Sequence, residues 1–182
     1  MIVIFSGSSG VGKNTVINEL IKDEVGILMP TFTSRQPRNG ETEGVPYYFV
    51  SQSKFKQMIN RDEFYEYEFI HGKNYYGTHK TTIDRLSQEG SVLLKDIDVL
   101  GAMNLQKLLK NKIKVLTIYL HIDKNTLIER LRGRGETDIE DRLKRFDFEF
   151  SFSDKYNIVI ENIDLAKTVE ICKKVIEEYK NV

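Results

Sequence analysis

The stretch Gly7-Ser8-Ser9-Gly10-Val11-Gly12-Lys13-Asn14-Thr15 follows the short apolar run Ile2-Val3-Ile4-Phe5 and opens an amphipathic segment, Val16 to Ile21. A strand, a glycine-rich turn and a helix start in that order form a phosphate cradle. Glycines let backbone N–H groups converge on an anion, the helix N-terminus adds partial positive charge, and the lysine reaches the outer phosphates. A nucleoside triphosphate is therefore the expected ligand, bound along Ser8, Ser9, Gly10, Val11, Gly12, Lys13, Asn14 and Thr15. One position departs from the pattern. A Ser or Thr hydroxyl for Mg²⁺ is expected directly after the lysine, and Asn14 stands there. Thr15 lies about 100° further around the helix axis and does not simply replace it. Asn14 is thus the candidate metal ligand, through its amide oxygen or through an extra water on the ion.

Composition narrows the class. The chain has 182 residues, 40% of them hydrophobic, which suits one folded core with small insertions. Its 27 Lys and Arg balance 27 Asp and Glu. That balance argues against a nonspecific nucleic-acid binder, which carries a basic excess. No apolar run approaches the ~20 residues of a membrane span, and the short first run lacks the basic leader of a signal peptide. Cys172 is the single cysteine. Its spacing with Val169, Val175 and Ile176 makes it a core thiol, and no intrachain disulfide is possible. A cytoplasmic protein, with no nucleic-acid or membrane partner, is expected.

Apolar runs alternate with helical periodicity. Strands are predicted at Ile2–Phe5, Val92–Leu94, Val115–Leu120 and Ile158–Ile160. Helices are predicted at Lys13–Lys22, Val99–Leu109, Lys124–Leu131, Ile139–Phe150 and Leu165–Tyr179, with Asp98 and Asp164 at N-cap positions. Such alternation predicts an α/β fold, a three-layer core with a parallel sheet between helices. Two stretches differ. Residues 31–80 are rich in Tyr, Phe, Arg and Gly, carry the turn signal Pro37-Arg38-Asn39-Gly40, and read as a small β-rich insertion. Residues 130–145 set Arg130, Arg132, Arg134, Arg142 and Arg145 among Glu136, Asp138, Glu140 and Asp141. They read either as a solvated helical face or as a helical lid whose arginines close on phosphates. The core is then 1–30, 81–129 and 146–182.

With the insertion in view, the chain resembles the guanylate kinases, P-loop nucleoside monophosphate kinases, over nearly its whole length. The resemblance rests on Thr31-Phe32-Thr33-Ser34-Arg35-Gln36-Pro37-Arg38-Asn39-Gly40-Glu41 and Gly44-Val45-Pro46-Tyr47-Tyr48-Phe49-Val50. It continues through Glu63-Phe64-Tyr65-Glu66-Tyr67, Asn74-Tyr75-Tyr76-Gly77-Thr78 and Leu94-Lys95-Asp96-Ile97-Asp98-Val99-Leu100-Gly101. Arg130-Leu131-Arg132-Gly133-Arg134-Gly135 and Val159-Ile160-Glu161-Asn162 complete it. Each motif is weak alone, and their shared order is specific.

The resemblance implies ATP-dependent phosphorylation of GMP to GDP, with Mg²⁺ accompanying ATP, in a monomer or homodimer. It makes Glu66 the base-recognising carboxylate. Guanine presents N1–H and N2–H₂ side by side, and a carboxylate accepts both, whereas adenine offers a lone pair at N1. Thr31 and Thr78 align with hydroxyls that serve O6. Arg35, Arg38, Tyr47 and Tyr76 align with groups that hold the acceptor phosphate, where an arginine fork suits paired oxygens. Asp96 matches a carboxylate on the guanine side. Asp98 is a second, placed either to orient the arginines or to hold metal-bound water. On the donor side Lys13 holds the β- and γ-phosphates, Arg134 and Arg142 clamp the transferred phosphoryl, Arg130 supports them, and Asn162 sits beside adenine. The implied catalytic set is Lys13, Arg38, Arg134 and Arg142. His71 and His79 show no metal-ligand spacing and read as supporting residues.

Besides Asn14, the chain departs from the family at Ser8, where proline is frequent, and at Leu100, where glutamine is common. His71-Gly72-Lys73 also lengthens the turn before Asn74. Two other readings remain at this level: a P-loop kinase for another phosphorylated acceptor, and a non-catalytic guanylate kinase-like binding module.

Overall fold

A computed structural model of the chain describes residues 1–38, 40–44, 46–70, 72–88, 90–133, 135 and 139–181, with backbone only for 85–88. Asn39, Val45, His71, Arg134, Glu136 and Asp138, all used in the sequence reading, lie outside the described residues.

Strand β1 (Ile2–Ser6) explains the core. Its side chains Ile2, Val3, Ile4 and Phe5 are all 0% exposed, so apolar matter covers both of its faces. Alternation sends them opposite ways. Val3 and Phe5 pack with Val16, Ile17 and Leu20 of α1 (Lys13–Lys22) and with Val169, Cys172 and Ile176 of α7 (Leu165–Asn181). Ile2 and Ile4 pack with Val99, Ala102, Leu105 and Leu109 of α4 (Val99–Leu109). Each Val, Leu, Ile or Phe among them contributes about 1.5–3 kcal/mol by leaving water. A strand buried on both faces belongs in the middle of a parallel sheet. Here β1 lies between β8 (Leu93–Asp96) and β9 (Val115–His121), with β2 (Ile27–Leu28) and β10 (Ile158–Glu161) at the edges, in the order β10-β9-β1-β8-β2. All four pairings are parallel. The expected three-layer α/β core is present.

Asp98 caps α4 by accepting from the N–H groups of Leu100 and Gly101, and Asp164 accepts from Lys167 N–H at the start of α7, as the sequence predicts. Cys172 is buried, and burial pushes its thiol up to about 12, so it is an inert core thiol.

A second sheet, in the order β4-β5-β3-β7-β6, is formed by β3 (Thr31–Thr33), β4 (Thr42–Glu43), β5 (Pro46–Phe49), β6 (Phe64–Ile70) and β7 (Asn74–His79). One face carries an aromatic core. Phe55 stacks on Phe64 at 4.5 Å and on Tyr75 at 5.2 Å, with Met58 and Phe32 beside them. Phe55 and Met58 come from α2 (Gln52–Asn60), capped by the Ser51 hydroxyl. No helix is predicted from the sequence at α2, inside the β-rich insertion 31–80, or at α3 (Lys80–Gln88), which follows it. In α2 only Phe55 and Met58 are buried, too few to stand out as a periodic stripe.

The remaining helices, α5 (Lys124–Gly133) and α6 (Ile139–Phe150), pack against each other. The expected lid takes in the last turn of α5 and the first turns of α6. Among the described residues no helix is long and apolar enough to cross a membrane.

Candidate active site

The glycine-rich loop leaves β1 at the point where the chain's path reverses, since β8 lies on one side of β1 and β9 on the other. Ligands of open parallel sheets bind there. Gly7 adopts φ 140°, and a Cβ on it would lie 2.2 Å from the Leu120 carbonyl oxygen, so the loop passes hard against β9. Gly12 is the N-cap of α1 at φ 103°, and no side chain caps that helix. Its first-turn N–H groups are left for an anion.

Lys13 folds over the loop, donating to the carbonyls of Gly7 at 2.7 Å and Ser8 at 3.4 Å. Its Nζ also stands 3.9 Å from Asp96 Oδ1, at the end of β8. The back of the loop is clasped by two predicted residues. Asn162 donates to the Val11 carbonyl at 2.8 Å, and Arg130 donates to the same oxygen at 3.1 Å and to the Asn162 carbonyl at 2.9 Å. Arg142, on α6, donates to the Ser9 hydroxyl. Ser9, Asn14 and Thr15 are exposed at the mouth of the loop, whereas Ser8 is buried.

The second sheet brings the other predicted side chains onto one face, through its register. Thr31 of β3 pairs with Tyr47 of β5, and Thr33 pairs with Tyr76 of β7. Tyr76 and Thr78 in turn stand opposite Glu68 and Glu66 of β6. With a side-chain period of two, Thr31, Tyr47, Tyr76, Thr78, Glu66 and Glu68 share a face, opposite to the aromatic core. Part of that face, the start of α1 and the end of β8 line a cleft of about 350 Å³, with Asn14, Thr31, Arg35, Arg38, Tyr47, Tyr76 and Asp96 on its walls.

Two parts of the cleft differ in chemistry. At one end Arg35 is held by Glu41, donating to both carboxylate oxygens at 2.8 and 2.9 Å, and its guanidinium lies 5.2 Å from the Tyr47 ring centre. Burial opposes the charge, but the Glu41 pair outweighs it and raises the guanidinium above its ordinary value. Arg38 is exposed, and its backbone N–H donates to the same carboxylate at 2.7 Å. Burial, and then Asp96, push the Tyr47 hydroxyl up to about 12, so it stays a donor at neutral pH.

At the other end Thr31 lines the cleft and accepts from the buried Lys95, and on the same sheet face Thr78 donates to Glu66. Burial raises the Glu66 carboxyl, against the pull of Lys95 and the Thr78 bond. Burial likewise raises Asp96, against Lys13 and Lys95. Asp98 is turned to its helix cap and to Glu68, whose carboxyl is pushed up to about 8 by burial and by sharing a hydrogen bond with Asp98. His79 packs on Phe32 at 5.0 Å and reaches Glu63 at 3.3 Å, a supporting role.

Glu41 and Lys95 carry no assigned role in the sequence reading. For Lys95 a signal exists: a lysine directly after the apolar run Val92-Leu93-Leu94, all of which is buried. The apolar run predicts a strand ending at Leu94, and the structure carries it on to Asp96. Exchange of Glu41 for Gln is expected to weaken binding of a phosphate-bearing ligand in the cleft roughly tenfold, because Arg35 loses the pair that holds its fork in place. Titration calorimetry with nucleoside monophosphates checks this, and tighter binding would show that Glu41 instead competes with phosphate.

A glycine-rich loop at the switch point of a parallel sheet, with a second polar cleft opening beside it, is the arrangement of a P-loop phosphotransferase. The chain belongs to the guanylate kinase family: the family model described as Guanylate kinase matches residues 1–179. Guanylate kinase of Bacteroides fragilis is 36% identical over 189 residues, covering 100% of this chain and 90% of that protein. Guanylate kinase of Fusobacterium nucleatum is 38% identical over 180 residues, covering 96% and 94%. The crystal structure of guanylate kinase from Anaplasma phagocytophilum has the same fold, with a TM-score of 0.79 at 24% identity over 99% of this chain and 85% of that one.

Proposed function

We infer that the loop binds ATP, that the cleft binds GMP, and that the chain catalyses ATP + GMP ⇌ ADP + GDP. The observation that carries this reading is the cleft itself. Its arginine and tyrosine end suits a phosphate, its Thr31 end, on the sheet face that also carries Glu66, suits a purine carrying N1–H, N2–H₂ and O6, and its Asp96 wall lies next to Lys13. The nucleophile is a phosphate oxygen, already ionised at neutral pH, so no general base is required. The protein's tasks are to align two anions, to offset their repulsion and to exclude water.

Lys13 takes the β- and γ-phosphates by exchanging its loop carbonyls for phosphate oxygens. Arg35, Arg38, Tyr47 and Tyr76 hold the acceptor phosphate. Arg142, already on the loop through Ser9, and Arg134 meet the transferred group, with Arg130 and Asn162 bracing the loop from behind. Mg²⁺ arrives as part of the ATP substrate and neutralises charge on its phosphates. The Asn14 amide, exposed at the mouth of the loop, fits an ion that keeps most of its waters. Among the described residues no cluster of three acidic, His or Cys side chains forms a protein-only cage. The lone buried thiol and the nucleotide substrates suit the cytoplasm.

ADP formation from Mg²⁺-ATP, measured with GMP, AMP, CMP, UMP or no acceptor, tests the reading. Turnover with GMP alone is expected. Folded protein that turns over none of them, or prefers another acceptor, overturns it.

A further inference from the structure

Lys95 is the unusual residue of this fold. It sits in β8 at 0% exposure, a position where a charge is costly unless it is partnered. Its Nζ donates to the Thr31 hydroxyl, and its charge interacts with Glu66 of β6 and with Asp96 on its own strand. The other charged groups of this neighbourhood are Lys13 from α1 and Asp98, both beside Asp96, and Glu68 of β6, beside Glu66, Asp98 and Arg145.

A hydroxyl has one proton to give. Thr78 gives its proton to Glu66, which leaves it none for a ligand. Thr31 accepts from an ammonium group, so its own proton is turned outward, and Thr31 lines the cleft while Thr78 is fully buried. The two threonines, equivalent in the sequence, thus have opposite tasks: Thr78 aims the carboxylate and Thr31 donates to the ligand.

We propose that Lys95 is a positioning residue for base selection, which fixes Thr31 as a hydrogen-bond donor and Glu66 as an ionised acceptor toward the base of the acceptor nucleotide. The resulting pattern, one donor beside one carboxylate, matches O6 with N1–H and N2–H₂. It opposes a 6-amino group beside a bare N1. The inference rests on the assignment of this cleft to GMP.

The lysine's titration supplies a readout that a packing role would not move. Burial lowers Lys95 to about 8, with Glu66 and then Asp96 pulling the other way. The ammonium is therefore present below that pH and lost above it. In the wild type, kcat/KM for GMP holds below about pH 8 and falls above it. Guanine loses its N1 proton at still higher pH in every variant, so ratios to the variant profiles isolate the protein group.

The test compares Lys95→Met, of similar volume, with the wild type. Expected are a KM for GMP raised roughly tenfold or more, unchanged kcat at saturating GMP, unchanged KM for ATP, and loss of the alkaline limb. AMP turnover should not fall in parallel. Glu68→Gln controls for the carboxyl that also titrates at about 8, and should keep the limb. A folded Lys95→Met protein with wild-type KM for GMP overturns the proposal. If that variant fails to fold, the wild-type and Glu68→Gln profiles decide: a limb present in both supports the proposal, and a limb absent from either overturns it. Thr31→Val and Glu66→Gln separate the two levels. If both leave GMP turnover intact, the GMP assignment itself is wrong. If they impair it while Lys95→Met does not, only the role of Lys95 is wrong.

Discussion

Lys13→Met lowers kcat by roughly 10³-fold or more, about 4 kcal/mol of transition-state stabilisation, and leaves the fold intact. The reason lies in what the ammonium touches. Its partners are the loop carbonyls of Gly7 at 2.7 Å and Ser8 at 3.4 Å, with Asp96 at 3.9 Å. These are weak or replaceable contacts in the free protein, because a carbonyl facing the mouth of the loop is hydrated once the lysine is gone. In the reaction no other group among the described loop residues brings a positive charge to the β- and γ-phosphates, where charge accumulates during transfer. Methionine keeps the stem and removes only the charge. Steady-state turnover at saturating ATP and GMP, beside a thermal melt, makes the measurement. A folded variant with near wild-type kcat would remove Lys13 from the mechanism.

Glu66→Gln is expected to lower kcat/KM for GMP by roughly 10²–10⁴, about 3–5 kcal/mol, while ATP binding survives. The amide offers one acceptor and one donor where guanine needs two acceptors, so one guanine N–H meets an N–H. The stability effect runs the other way. Burial raises the Glu66 carboxyl above its ordinary value. The folded state therefore binds this proton more tightly than the unfolded state, and stability drops as pH rises from the ordinary carboxylate value through the raised one. At neutral pH that cost is already present, and Gln removes it while its carbonyl still accepts from Thr78. Melting temperature at pH 7 should hold or rise as activity falls. A variant that keeps its GMP kinetics, or loses them only by unfolding, would take Glu66 out of base recognition.

How legible was this molecule? The core elements stand in the sequence because they are local. Ile2–Phe5 is apolar at every position, which only a strand covered on both faces tolerates, and Asp98 and Asp164 mark helix starts by their own short-range bonds. The phosphate loop is equally local: glycines, lysine and helix start follow one another directly. In contrast, α2 shows only Phe55 and Met58 to the interior, and its partners Phe64 and Tyr75 arrive from later strands.

The functional cleft divides the same way. Residue types at Thr31, Arg35, Arg38, Tyr47, Glu66, Tyr76, Thr78 and Asp96 point to a phosphate and a purine through the motifs they occupy. Which of them act together depends on strand register, and register is a property of pairs of strands. Thr31 and Thr78 read alike until β3, β7 and β8 are aligned; then one hydroxyl donates to Glu66 and the other accepts from a lysine 64 positions away. Sequence alone determined the fold class, the loop and the family motifs, since these rest on neighbours along the chain. The tertiary structure alone decided the Glu41 clamp on Arg35, the burial of Lys95 and the hydrogen-bond partner of each threonine hydroxyl. Those depend on which side chains meet in a space that water has left, where each donor must find its acceptor.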